Sequence, residues 1–107
     1  MGWADHVITG VRYSDDRSHI THLETRPAGS AAIGTPEERT RATVVRMIQS
    51  GSTFATAYMR GRWVRGADVL VVTIGGEKYL RTDLNEKRAD NLGELPELAS
   101  RLDARRW

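Results

Sequence analysis

Over most of its length this chain spaces its apolar residues by two. From Val7 the series Val7, Thr9, Val11 and Tyr13 alternates with His6, Ile8, Gly10 and Arg12, the periodicity of a strand whose successive side chains leave opposite faces. A stripe at helical spacing, Val44, Val45, Met47 and Ile48, interrupts that pattern in mid-chain. A chain patterned this way has a sheet to cover and little helix to cover it with, which points to an α+β fold.

The punctuation between these runs gives the expected order of elements. Residues 14–18 (SDDRS) form a polar turn and residues 19–25 (HITHLET) resume the alternation, so residues 6–25 should be a hairpin with a five-residue loop and a bulge at Gly10. Residues 26–34 (RPAGSAAIG) are small, contain glycine and proline and have no period, as expected of a mobile connection. Thr35, Pro36, Glu37 and Glu38 combine an N-cap, a first-turn proline and helix-start acids, so the helix should begin there or at Thr40. It should end at Gly51 in a left-handed conformation, with Arg39, Arg41 and Arg46 on its solvated face.

Residues 52–59 predict a third strand. Residues 69–74 carry five apolar residues in six, as expected of a central strand covered on both faces. Gly75 and Gly76 predict a tight turn into another strand. Leu92 and Leu95 should anchor the tail, and Pro96 with Leu98 and Leu102 predicts a short C-terminal helix.

The expected architecture is one α+β domain over residues 1–107, with an antiparallel sheet of about five strands in the order hairpin, helix, meander and the 36–50 helix on one face. The expected core comprises Ile8, Val11, Ile20, Leu23, Val44, Ile48, Phe54, Val69, Val71, Leu80 and Leu92. The two apolar faces of residues 69–74 call for more cover than one helix gives; a homodimer is the expected source, and the C-terminal segment through Leu95, Leu98 and Leu102 is the alternative.

Composition narrows function chiefly by exclusion. No cysteine is present, which removes disulfides, thiolate metal sites and a cysteine nucleophile. No apolar run approaches the ~18 residues of a membrane span, and the N-terminus lacks a basic segment followed by an apolar core, so a cytoplasmic protein without membrane partners is expected. Sixteen basic residues against fourteen acidic leave a net charge of +2, too even for a dedicated nucleic-acid domain. Among the sixteen, only Lys78 and Lys87 are lysine, a bias suggesting a GC-rich genome such as an actinobacterium or its phage.

His19 and His22 sit three apart on an expected strand and so point to opposite faces, which excludes joint chelation of a metal. No nucleophile-elbow or phosphate-loop spacing occurs, and neither a catalytic residue nor a cofactor is expected. The one dense chemical cluster is RGRWVRG, residues 60–66. Arg60, Arg62, Trp63 and Arg65 are the candidate partner-binding residues, of types enriched at protein hot spots. The expectation is a non-enzymatic binding module that engages a host or cognate protein. The alternative is nucleic acid or a nucleotide held by the same arginines with Tyr58 or Tyr79.

Several stretches resemble one small bacterial and phage family, the domain of unknown function 3892. They are ADHVIT followed by Val11, then HITHL, a threonine leading into VVRMIQSG, GGEKYLRTD, and DNLGELPEL, in that order over residues 4–98. KYLRT with the NL and LP pairs is the most specific part. The resemblance implies a compact α+β domain and carries no reaction, cofactor or catalytic residue onto this chain. The sequence departs from the family pattern at MRGRWVRGAD, which is longer than the family's glycine turn, and at the extension ASRLDARRW. An elaborated hairpin tip is where one member would acquire its own partner.

Overall fold

A computed structural model describes residues 4–15, 19–29, 33–82, 95 and 98. Five strands form the main sheet: β1 (His6–Tyr13), β2 (Ile20–Pro27), β3 (Glu37–Thr40), β4 (Phe54–Met59) and β5 (Trp63–Asp68). The helix α1 spans Arg41–Gln49, and β6 (Leu70–Ile74) and β7 (Glu77–Arg81) make a separate two-stranded sheet. The spatial order β3-β2-β1-β4-β5 places β1 at the centre. All neighbours run antiparallel except β1 and β4, which run parallel, and the fold is α+β.

Central position explains why β1 buries both faces although its sequence alternates. Val7, Ile8 and Val11 are at most 1% exposed and Thr9 is 6% exposed. Ile8 pairs with Thr25 while Gly10 pairs with Glu24, so Thr9 is an extra residue in the ladder. This bulge, expected at Gly10 and found beside it, re-phases the strand. Ile8 and Val11, three apart, therefore join the same core on the α1 side. Val7 lies on the outer face in a smaller cluster with Ala28 and Ala57, against which Ile33 and Trp63 pack.

The larger core unites Ile8, Val11, Ile20, Leu23, Val44, Val45, Phe54, Val69, Leu80 and Leu95. Ile48 and Val71, expected in the core, are only partly buried against it. Leu92 and the expected C-terminal helix lie outside the described residues, but Leu95 is 8% exposed and the Leu98 N–H donates to Val11 O at 2.6 Å. The start of β1 is tied to the start of β4: Thr53 N donates to Asp5 Oδ2 at 3.0 Å, Asp5 N to Thr53 Oγ1 at 2.9 Å, and His6 N to Thr53 O at 3.1 Å.

Three expectations need correction. The helix begins at Arg41, capped by Thr40, whose Oγ1 accepts from Thr43 N at 3.2 Å. Glu37 and Glu38, read as first-turn acids, instead belong to β3 and pair with Thr25 and Glu24, because the free edge of β2 offers backbone partners that an early helix would leave unused. The left-handed Gly51 after the helix is as expected, with φ 108°. Second, residues 69–74 are not a central strand. Among the described residues they pair only with β7, through the Gly75 and Gly76 turn (φ 60° and 85°), and Leu70, Val71, Val72 and Ile74 are half-buried. The sheet position that argued for a second subunit is therefore not the one observed. Third, residues 26–34 are not wholly a connection: Arg26 and Pro27 complete β2, Ala28 is buried, and Gly34 N donates to Pro27 O at 2.9 Å.

Candidate interface on the β4–β5 hairpin

The candidate residues sit on a hairpin at the edge of the main sheet. β5 pairs with β4 on one side, and no other described strand lies beyond it. The register sets Tyr58 against Val64 and Met59 against Trp63, and Gly61 takes φ 79° in the connecting turn, where Arg60 N donates to Arg62 O at 2.9 Å. Only residues 60–62 are thus the tip, and Trp63 and Arg65 stand on a strand that the alternation did not reveal.

A second bulge shapes that strand. Ala55 pairs with Asp68 but Ala57 with Arg65, so Thr56 faces two residues, Gly66 and Ala67, and its Oγ1 accepts from Ala67 N at 3.0 Å. A side chain at Gly66 could not be accommodated, since a Cβ there would overlap Thr56 Oγ1 and lie 2.8 Å from Tyr58 Cε2.

The four candidates share one hairpin but divide between its faces. Trp63 is half-buried on the outer face against the Val7, Ala28 and Ala57 cluster, with the Arg26 guanidinium 5.0 Å from its ring centroid. Arg65, opposite Ala57, is ion-paired with Asp68 and donates to Gly66 O at 3.1 Å. Arg60 lies 5.6 Å from the Tyr58 centroid, and Tyr58 packs against the α1-side core. Arg62 is exposed at the tip. Tyr79, also considered for a ligand, is on β7 opposite Val72, in the other sheet.

Sequence reasoning missed Met59 and Val64, which are 58% and 37% exposed and are the large exposed hydrophobics among the described residues. Their signal was present: an edge strand has one side without ladder partners, and Met59 precedes the turn. It also missed Arg26, which lies far away in sequence. Arg26 donates to Thr9 Oγ1 at 3.3 Å and to Gly34 O at 3.3 Å and pairs with Glu24 at 3.5 Å, while Thr9 Oγ1 donates to Glu24 Oε1 at 2.7 Å. This network holds the guanidinium over Trp63 and fixes the indole. Farther along the outer face Arg12 pairs with Glu38 at 3.0 Å.

Among the described residues no group of three or more histidine, cysteine or acidic side chains could hold a metal, and no helix is long and apolar enough to cross a membrane. His6 stacks on Phe54 with centroids 4.9 Å apart. Burial lowers the pKa of its imidazole, reinforced by Arg39 and opposed by Asp5 and Glu37.

No curated protein and no solved structure matches the chain. A family model does, over residues 7–96, and its description is a protein of unknown function, DUF3892. That span runs from Val7, the second residue of β1, through β7 to beyond the buried Leu95, and the chain belongs to the DUF3892 family.

Proposed function

We propose that this protein is a non-enzymatic binding module that takes an extended, acidic segment of a partner protein along the outer edge of β5. The observation that carries the reading is the coincidence on one hairpin of two exposed apolar side chains, Val64 on the edge strand and Met59 at the end of β4, with Arg60, Arg62 and Arg65. An edge strand presents backbone donors and acceptors that an added strand can pair, apolar side chains give such a partner area, and arginines select its charge. In a phage or accessory-gene setting that partner would be a host protein.

The same arginines suit nucleic acid less well. Base stacking needs an open aromatic face, whereas Trp63 has one face on the sheet with Arg26 over the ring, and Tyr58 lies beneath Arg60. A base would have to displace a guanidinium from either ring.

The test is a photo-cross-linking amino acid at position 64, irradiated in lysate with and without nuclease. The reading expects a protein adduct that survives nuclease and is lost when Arg60 and Arg62 are both changed to Glu. A nuclease-sensitive adduct would transfer the site to nucleic acid.

A further inference from the structure

Charge is distributed unevenly along the β4–β5 hairpin. Arg60 and Arg62, at the tip, are exposed and have no ion pair among the described residues. The contact of Arg60 with the Tyr58 ring leaves its charge intact. At the far end of β5 the Arg65 guanidinium is paired with Asp68, whose side chain is 73% exposed, and donates to Gly66 O at 3.1 Å. The tip therefore carries two uncompensated cations, and the bulge end a neutral pair with an exposed carboxylate.

The ladder restricts register as well. From Trp63 to Arg65 β5 pairs regularly with β4, and the bulge at Gly66 and Ala67 then bends the strand. A strand added on the open side thus has a short straight run centred on Val64, between the tip and the bulge. Antiparallel pairing is the more stable per residue, and an antiparallel neighbour of β5 runs towards the tip. Side chains recur on one face every second residue. The residue two places after the one set against Val64 therefore comes level with Arg62. A carboxylate there meets the free cations, whereas a carboxylate placed before the apolar residue comes towards Asp68 and is repelled.

Resting on the reading of β5 as an edge that takes an extended segment, we propose that the segment runs antiparallel to β5 and carries its acidic residues C-terminal to its apolar ones, so that its carboxylates reach Arg60 and Arg62. The probe is the blocked peptide TVTVDD, with TVTVNN as its uncharged control, and the readout is amide chemical shifts of the full chain at low salt. TVTVDD should give saturable shifts along residues 63–65 with a dissociation constant below about 1 mM, and TVTVNN should bind about tenfold more weakly, the loss of a charge-assisted hydrogen bond. A nitroxide at the peptide's C-terminus should broaden the amides of Gly61 and Arg62, and one at its N-terminus those of Ala67 and Asp68. Arg60 and Arg62 are exposed, so the double variant Arg60→Gln/Arg62→Gln should melt with the wild type and bind both peptides equally. The opposite broadening pattern, or a folded double variant that still prefers TVTVDD, overturns the polarity and leaves edge capture standing. Absence of saturable shifts along residues 63–65 overturns both.

Discussion

The two hairpins of the main sheet are built from similar material and do opposite things. β1–β2 contributes the central strand, and its residues from Val7 to Val11 are buried on both faces. β4–β5 ends at the sheet edge, and along β5 only Trp63 and Gly66 are half-buried while the other residues are exposed. Both hairpins carry a bulge, yet the consequences differ. In β1 the extra Thr9 turns Ile8 and Val11 into one core; in β5 the extra residue leaves Gly66 against Thr56 and Tyr58 and carries the strand past them to Asp68. Position within the sheet, more than composition, separates the hairpin that is buried from the one left exposed at the edge.

The largest expected effect breaks the buried side of this contrast. Ile8→Ala should cost about 2–5 kcal/mol in urea denaturation, since Ile8 is 0% exposed. That is a large share of a small domain's roughly 5–15 kcal/mol. Met59→Ser and Val64→Ser should change stability by no more than about 0.5 kcal/mol, as exposed sites do, and Met59→Ser should also weaken the adduct cross-linked from position 64. A loss of stability at Met59 or Val64 comparable to that at Ile8 would erase the distinction.

Gly66→Val comes next, at about 1–3 kcal/mol from steric overlap with Thr56 and Tyr58. Because the disturbance is confined to the edge, near-ultraviolet signals of Trp63 should change while α1 stays intact by circular dichroism. Thr40→Ala should cost about 1 kcal/mol by removing the helix cap.

The smallest effect concerns pH. Unfolded His6 protonates near pH 6.5, and the folded imidazole does so only at lower pH. As pH falls through this window the unfolded state binds protons first, so the His6 contribution is present above it and is lost on acidification. Urea midpoints should drop more between pH 7.5 and 5.5 in the wild type than in His6→Gln, and equal drops would count against the burial of the ring.

What could be read in the sequence was local. The first hairpin, the left-handed Gly51 and the Gly75–Gly76 turn each announce themselves within a few residues. Sheet order does not. An apolar run with two hydrophobic faces, residues 69–74, reads as a central strand, whereas that role belongs to β1, whose pattern looks half-polar until the bulge is known. Two adjacent stretches could each start the helix, and pairing with β2 chose between them. The site was half legible. RGRWVRG marked the hairpin, but Arg26 comes above Trp63 only through folding.

Native-state hydrogen exchange on the free protein tests the central contrast most directly. β1 amides should exchange only through global unfolding, and β5 amides through local opening at a lower free energy, because the edge strand is paired on one side alone. The result should hold across protein concentrations. β5 amides as slow as those of β1, above all if slowed further at higher concentration, would mean that a second copy already occupies the edge, and would contradict an edge kept open for another partner.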